Sequence, residues 1–421
     1  MYREALNEIY VPRIQRGNVS FAANILGARG ALLSVLVHFF EQGRWGSFVQ
    51  PGIEGHSLTA EDQLFVLTEA GRYLTATRES APEVRICYER AAALCHLLNR
   101  PLDLYVALMG QWRYFSITDT QSATMQLARR VYALAQEQND PTLLVGACTA
   151  LAVTLYHFRG DFEAARQYTM QGIELWRSGR VRSLFEEVDS QPVACLCVEG
   201  LLQWQFGEIP SCRATIAEAI SLAKELNDMH GLAVALSSAA RLAYFERSAG
   251  EVERLASDLI ELSTRHGFAH WPAIGEVFRG WARSASGGTA EGLSWIEDGI
   301  EDYRASGSLA LMPYLLTLKA EALDLADRTS EALDAIKEAE KVVERSEGRE
   351  WCAELHRLHG VFLAAIGADQ KEIEASFREA IRIAKEQKSV SLEKRAKATY
   401  AEYRRQKASG SGGRGFRLPL C

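Results

Sequence analysis

The sequence predicts an all-α protein, a right-handed α-α superhelix of about eight helix pairs. Proline, which breaks helices, is scarce, with ten in 421 residues against the usual frequency of about 5%. Hydrophobic residues make up 48% of the chain and charged residues 24%, which favours a packed core and excludes intrinsic disorder. Similar segments also recur every 40 residues or so, the mark of a repeat architecture.

The repeat period is read most clearly at the ends of the second helices. Residues 134–140 (LAQEQND) and 222–228 (LAKELND) are alike, and residues 94–99 (LCHLLN) are a shorter copy. The position three residues before each leading leucine recurs at Ala91, Val131, Gly172, Ala219, Leu259, Gly299, Ala339 and Ala380. The spacing is 40 or 41 residues except for one interval of 47. That interval holds a polar insertion, residues 177–191, just before Pro192.

A column of mostly small residues marks the first helix of each pair, and we call it the first column; the column from Ala91 to Ala380 is the second. The first column consists of Gly71, Gly110, Val153, Gly200, Ala243, Gly280, Ala320 and Gly360. About seven residues later comes a turn residue that ends the helix, predicted at Gly160, Gly207, Gly250, Gly287, Asp327 and Gly367. Small residues in mid-helix let two helices approach closely. Each unit is therefore two antiparallel helices, and stacked units bury the apolar faces that one pair leaves open.

Proline positions mark the unit boundaries. Seven of the ten are expected at helix starts, where the missing amide hydrogen matters least, namely Pro82, Pro101, Pro141, Pro192, Pro210, Pro272 and Pro313. The chain then divides into residues 1–57, expected to be divergent helices that cap the superhelix, residues 58–406, the repeat domain, and residues 407–421, expected to be a flexible basic Gly/Ser-rich tail.

The small-residue columns, the glycine turns and the aromatic residue that opens several second helices resemble the tetratricopeptide repeat. Phe162, Ala165, Gly172 and Ile173 show this pattern in one second helix. The units here are longer than the usual 34 residues. They also depart from the family, since most first helices lack the expected tryptophan and residues 250–267 do not follow the second-helix pattern.

Residues 58–406 further resemble the C-terminal repeat region of bacterial proteins that join an adenylate or guanylate cyclase to a predicted ATPase module. The resemblance is carried by residues 81–88 (APEVRICY), 110–112 (GQW), 154–158 (TLYHF), 279–282 (RGWA), 353–360 (AELHRLHG) and 391–396 (SLEKRA). In that family this region is the helical tail and not the catalytic part. The resemblance implies a bacterial signalling protein with a cyclase or ATPase module as a possible partner.

Several function classes are excluded or disfavoured. A phosphate-binding P-loop needs a Gly-Lys pair, which the sequence lacks, and no stretch alternates strands and helices as a cyclase domain would. We therefore expect no enzyme activity and no cofactor. The net charge of −7 argues against nucleic acid as a partner. The apolar residues 21–40 are interrupted by polar ones and are not expected to span a membrane.

Candidate metal and thiol sites are expected to be structural. His266 and His270 lie four residues apart, and His356 and His359 three apart with Cys352 upstream, but neither pair belongs to a four-ligand motif. We expect no metal site. The eight cysteines have no disulfide framework, which suits a reducing, cytoplasmic location. The Cys195–Cys197 pair and Cys212 at a helix start are expected to be buried thiols.

The best functional candidate is the concave inner groove of the superhelix. Positions one and four after the small residue of each first helix are expected to face it. Tyr314 is added from six positions before the small residue Ala320. The predicted site is then Gln111, Tyr114, His157, Trp204, Tyr244, Arg247, Trp281, Tyr314 and Glu321. Aromatic residues with a few polar groups suit recognition of a peptide, a partner domain or a small effector. The alternative is that these aromatic stripes form core. The charged last repeat predicts a monomer or weak dimer.

Overall fold

A computed structural model of the chain describes residues 59–118, 121–179, 181, 190–268, 270–346, 348–408 and 416. In these residues the protein is an all-α, right-handed superhelix without strands. Its seventeen helices, numbered here α1 to α17, are Ala60–Arg78, Pro82–Leu98, Pro101–Thr118, Gln121–Gln138, Pro141–Thr154, Phe162–Arg177, Gln191–Gln205, Ile209–Glu225, Met229–Phe245, Ala249–His266, Trp271–Ala285, Thr289–Ala305, Met312–Leu325, Thr329–Ser346, Cys352–Ala365, Gln370–Glu386 and Val390–Ala408. They form eight pairs and a final helix, as the period predicts.

Both sequence columns fall where the period places them. The mostly small residues of the first column lie in the odd-numbered helices α1 to α15, and those of the second in the even-numbered helices. All seven expected prolines occupy the first two positions of a helix. The one 47-residue interval of the repeat period is also explained, because α6 ends at Arg177 and α7 begins only at Gln191.

The glycines of the first column receive side chains or backbone from a neighbouring second helix, of the same pair or, for Gly110, of the pair before. A Cβ added at Gly110 would lie 2.3 Å from the ring of Tyr88. A Cβ added at Gly280 would lie 2.5 Å from the carbonyl oxygen of Gly292, so at α11 and α12 the two backbones meet directly. Only glycine allows this approach.

Left-handed residues end the helices as expected, with one correction. Gly160, Gly207, Gly287, Asp327 and Gly367 have φ between 59° and 96°. In the fifth pair the left-handed residue is Arg247, at φ 60°, whereas the predicted Gly250 lies inside the first turn of α10. The sequence prediction was wrong there because it looked for glycine, while Arg247 is held by its side-chain contacts, described below.

Successive turns of the superhelix touch one another. Ser80 Oγ donates to the carbonyl of Ser306, 226 residues away, and Ser389 Oγ donates to Gln205 Oε1 at 2.6 Å across 184 residues. The side chains of His157 and Glu350 pair across 193 residues. At about 40 residues a pair, these contacts join helices about five pairs apart along the chain.

The remaining domain predictions fall largely outside the described residues. That applies to the capping helices expected in residues 1–57, to the apolar residues 21–40 and to most of the tail. Phe416 of the tail is buried, with its ring centroid 5.8 Å from that of Tyr403. Among the described helices, Pro141–Arg159 is long and apolar enough to cross a membrane, and most of it is buried within the fold.

Candidate functional site

Most of the nine predicted groove residues are packed within the fold. Six are buried, namely Gln111, Trp204, Tyr244, Trp281, Tyr314 and Glu321. Tyr114, His157 and Arg247 are half-buried. First helices two pairs apart touch here, as Tyr244 of α9 and Tyr314 of α13 do with ring centroids 5.6 Å apart, so positions expected to line an open groove meet each other instead. Ligand binding by these nine residues stays a prediction.

Several of the predicted aromatic rings pack against other rings. Trp204 stacks on Phe245 with centroids 3.9 Å apart, and Tyr314 of α13 stacks on Trp351 at 4.3 Å. Tyr244 of α9 lies edge-on to Trp281 at 4.9 Å. Elsewhere Gln111 Nε2 donates to the carbonyl of Tyr88 at 3.0 Å, and the Tyr114 ring meets Phe115 at 5.4 Å. The alternative of core packing therefore describes most of the predicted aromatic stripe.

Two of the nine residues form a charged pair at the edge of these rings. Arg247 donates from both terminal nitrogens to Glu321, at 2.6 and 2.9 Å. Trp281 Nε1 donates to the same carboxylate at 2.9 Å, and the Arg247 guanidinium lies 4.9 Å from the centre of the Tyr244 ring. These contacts fix the Arg247 side chain and explain why a non-glycine residue holds the left-handed turn after α9.

The pair belongs to a larger group of charges, which we call the arginine cluster: Arg247, Glu321, Glu354, Arg357 and Arg395. Arg357 donates to both oxygens of Glu354, at 2.8 and 2.7 Å. Arg395 Nη2 lies 3.5 Å from Glu354 Oε1, and Arg357 Nη2 lies 4.0 Å from Glu321 Oε1. Helices α13, α15 and α17 and the turn after α9 thus contribute to one site.

The arginine cluster carries more positive than negative charge. Three guanidinium groups face two carboxylates, which leaves a net charge of +1. The side chains of Glu321, Glu354 and Arg357 are 3–5% exposed, whereas those of Arg247 and Arg395 are 20% and 19% exposed. Arg247 and Arg395 therefore form the solvent-facing side of the cluster, and an uncompensated charge beside a low-dielectric interior favours binding of an anion.

The pKa shifts in the cluster follow from this balance. Burial alone would raise the pKa of Glu354, but the charges of Arg357 and Arg395 outweigh it and lower the pKa. The pKa of Glu321 is likewise lowered, because Arg247 overcomes the effect of burial. Burial lowers the pKa of Arg395, and Arg247 and Arg357 add to that effect against the attraction of Glu354. Arg395 is therefore the member with the least compensation.

Several buried polar atoms around the cluster lack hydrogen-bond partners among the described residues. They are the hydroxyl oxygens of Tyr244 and Tyr314, Trp351 Nε1 and Arg395 Nη1. Buried polar groups are nearly always hydrogen-bonded to protein or to ordered water. These atoms are themselves buried, so the exposed parts of Arg247 and Arg395 are where a ligand can reach the cluster.

His157, the remaining predicted residue, holds two turns of the superhelix together. Its Nδ1 pairs with Glu350, which also pairs with Arg241 of α9. The backbone amides of Arg349 and Glu350 both donate to the His157 carbonyl at 3.2 Å. A π-helical turn, Leu155–Arg159, continues α5 and presents this residue. We read this group as a structural junction between turns.

Sequence reasoning missed the cluster members Glu354, Arg357 and Arg395. One signal was present: Glu354 stands six positions before Gly360, the same phase that placed Tyr314 six before Ala320. Arg357 and Arg395 have no such periodic signal. Their contacts depend on the superhelical pitch, which a repeat period does not report.

The histidine and cysteine candidates lie in different surroundings in the fold: a contact between turns, an open pocket and the buried core. His270 Nδ1 lies 3.0 Å from Glu79 Oε2 in a contact between turns, and His266 stacks on Phe268. His356 and His359, by contrast, lie beside Glu340 in an open pocket. Burial raises the pKa of Cys212 to about 12, and Cys195 and Cys197 are also buried.

Comparison with known sequences gives partial matches. The family model of anaphase-promoting complex subunit 5 matches residues 189–245 and 352–406, a minor part of the chain. An uncharacterized protein, R02095, from Rhizobium meliloti (strain 1021) is 25% identical over 364 residues, which are 83% of this chain and 34% of the relative. The chain thus spans about a third of the length of the curated relative that it matches.

Comparison with solved structures supports the tetratricopeptide-like fold. A Rap protein complexed with Competence and Sporulation Factor is similar over 84% of this chain and 99% of its own, with a TM-score of 0.55 and 10% identity. A signal transduction ATPase with a tetratricopeptide repeat sensor from Pyrococcus horikoshii matches 79% of this chain and 52% of its own, with a TM-score of 0.40 and 12% identity. The resemblance to cyclase–ATPase proteins stays a prediction.

Proposed function

We propose that the chain is a non-catalytic interaction module that binds an acidic peptide segment of a partner protein at the arginine cluster. The observation that carries this proposal is the uncompensated positive charge of the cluster, with Arg395 Nη1 unpartnered among the described residues. A carboxylate at the solvent-facing side of the cluster would accept charge-assisted hydrogen bonds from Arg395 and Arg247, whose side chains are 19% and 20% exposed.

A peptide suits the surroundings better than an isolated small anion. Arg247 and Arg395 are both partly exposed at the cluster, so a peptide with several acidic groups could contact both together. The Rap protein of similar fold was crystallised with Competence and Sporulation Factor, and we infer by analogy of fold that this chain also serves recognition. The alternative ligand under the same hypothesis is a partner domain or a small effector.

Binding to an array of peptides of graded acidity tests the proposal. We expect the wild-type chain to select acidic peptides and the Arg395→Gln variant to lose that selection. The matched control is Arg265→Gln, which removes the same charge from an exposed pair on α10 and should bind like wild type. Equal binding by Arg395→Gln, or no preference for acidic peptides, contradicts the proposal.

The second candidate function is the repeat portion of a bacterial cyclase- or ATPase-type signalling protein. It rests on the sequence resemblance, and the match to a relative about three times as long as the aligned region is compatible with it. In that case the bound partner would be the cyclase or ATPase module. We expect the purified chain itself to make no cyclic nucleotide and release no phosphate from ATP. Turnover that survives repurification would contradict a non-catalytic role.

A further inference from the structure

A second site lies away from the arginine cluster, in a pocket between α14, α15 and α16. The pocket has a volume of about 530 Å³ and is open to solvent. Its wall includes Glu340 and Glu344 of α14, His356 and His359 of α15, and Glu379 of α16. Neither the proposed peptide binding nor the junctions between superhelical turns uses these residues.

Three side chains of this pocket converge on one point. His356 and His359 are three positions apart on α15, which places them on one face of the helix, and Glu340 approaches from α14. One ligand-type atom from each residue lies within 4.8 Å of the other two. His359 Nδ1 and Glu340 Oε1 are already 3.0 Å apart. Among the described residues, this is the group that brings three metal-ligating side chains together.

The distances are compatible with one small ion. Zinc–ligand bonds of about 2.0–2.2 Å in a tetrahedron place ligand atoms roughly 3.4 Å apart, so from within 4.8 Å of one another the ligand atoms would have to approach by at most about 1.4 Å through side-chain rotation. All three side chains are half-buried, which leaves them accessible from the pocket and partly shielded from water.

We propose that Glu340, His356 and His359 bind a single zinc-class transition-metal ion, with a fourth position open to the pocket. Two imidazoles and one carboxylate form a donor set that suits zinc, cobalt or nickel better than magnesium or calcium, which prefer oxygen ligands. Three protein ligands and an open position are the arrangement in which a metal retains a water or accepts an external ligand.

The bound ion would link consecutive pairs of the superhelix. Glu340 belongs to the second helix of one pair and the histidines to the first helix of the next, so the ion would cross-link the repeat interface. Because the folded chain would bind it more tightly than the unfolded chain, the ion should raise the melting temperature.

Titration of the tag-free, metal-stripped full chain with Zn²⁺ tests the proposal. We expect one ion per chain by calorimetry. Affinity should be at least about tenfold lower in His356→Ala and in His359→Ala, because even the loss of a residue that only hydrogen-bonds a metal ligand lowers affinity by about that much. Glu340→Gln, which preserves the shape, should also weaken binding. The control His96→Ala changes an exposed histidine on α2 and should leave binding unchanged.

The Cys352→Ser variant and the Co²⁺ spectrum distinguish metal binding at the Cys352 thiol from metal binding at the proposed site. Cys352 also lines the pocket, but the proposal expects no thiolate-to-cobalt charge-transfer band and unchanged affinity in Cys352→Ser. Absence of 1:1 binding, undiminished affinity in the histidine variants while they retain the wild-type helical spectrum, or a strong thiolate band would each overturn the proposal.

Discussion

At the scale of single residues, the glycines of the first column decide how closely the helices of a pair can pack. Gly280→Ala would place a methyl group 2.5 Å from the Gly292 carbonyl oxygen, and backbone at this position cannot move aside as a flexible side chain could. We expect the variant to lose about 1–3 kcal/mol of unfolding free energy, as in other overpacked interiors. Urea unfolding followed by circular dichroism measures this loss.

Gly250→Ala is the matched control for that substitution. A Cβ added there meets no heavy atom within 4 Å, and Gly250 has helical backbone at the start of α10. Alanine should therefore leave stability unchanged or raise it by up to about 1 kcal/mol. A loss in Gly250→Ala similar to that in Gly280→Ala would mean that helix contact does not explain the glycine column.

The buried glutamates predict how stability depends on pH. Glu321, Glu350 and Glu354 each have a pKa lowered in the fold from the ordinary value of 4.5, because their arginine partners outweigh burial. A carboxyl group whose pKa is lower in the folded than in the unfolded chain stabilises the fold at pH values above its unfolded pKa. This contribution is lost as the pH falls toward the folded pKa. We expect the unfolding free energy to fall with acidification below about pH 5.

Urea unfolding at a series of pH values checks this dependence, and the Glu321→Gln variant provides the comparison. That variant lacks one of the shifted carboxyl groups and should lose less stability on acidification, although it starts from a lower value at neutral pH. Stability that rises on acidification, or an unchanged slope in Glu321→Gln, would contradict the assignment of Glu321 as a buried, charge-paired carboxylate.

At the scale of helices, the sequence specifies where elements start and end because capping is local chemistry. Prolines mark seven helix starts, and Asn99, Asn139 and Asn227 adopt left-handed conformations at the ends of second helices. The π-helical turn after α5 was not predicted, since Leu155–Arg159 has ordinary helical composition. Arg247 escaped prediction for a similar reason, because contacts distant in sequence hold its backbone.

A capping aspartate gives a prediction for one helix. Asp228 Oδ1 accepts a hydrogen bond from the Gly231 amide at 2.7 Å at the start of α9, and its Oδ2 accepts one from the Ser190 amide at 2.7 Å beside α7. Asp228→Ala should therefore reduce the unfolding free energy by about 1–2 kcal/mol, toward the upper end of cap losses. Thermal and urea unfolding would measure it.

Asp334→Ala is the control for the cap. Asp334 is an exposed residue in the middle of α14, away from helix ends, and its replacement should not change stability measurably. An equal effect of the two substitutions would show that the loss comes from removing a negative charge and not from losing the cap.

At the scale of the whole molecule, the contacts between turns distinguish this protein from an open solenoid. In an open array each repeat meets only its neighbours, whereas here Glu350 pairs with His157, 193 positions away, and with Arg241, 109 positions away. The forty-residue period predicted the repeats and their stacking. It did not predict the pitch, and therefore neither the contacts between turns nor the arginine cluster, which assembles from helices distant in sequence.

Removing the buried charge that joins the turns should destabilise the molecule. The side chains of Glu350 and Arg241 are 2% and 5% exposed, so Glu350→Gln leaves a buried guanidinium without its counter-charge. We expect a loss of about 3–5 kcal/mol, and an increased radius of gyration by X-ray scattering if the turns separate before the helices unfold.

Glu163→Gln is the control for Glu350→Gln, because it removes an exposed ion pair in place of a buried one. Glu163 pairs with Lys388 across the same two turns, but both side chains are well exposed, and water screens such pairs. Its replacement should leave stability and dimensions as in wild type. If Glu350→Gln behaved in the same way, the buried pair would not be what holds the turns together.

The central claim, that the arginine cluster binds an acidic segment, is tested most directly by calorimetric titration with the strongest acidic peptide from the array. We predict that Arg395→Gln binds it at least about tenfold more weakly than wild type, a difference of about 1.4 kcal/mol, that Arg265→Gln binds like wild type, and that added salt weakens the wild-type complex. Equal affinity of the wild-type chain and Arg395→Gln for that peptide would contradict the claim.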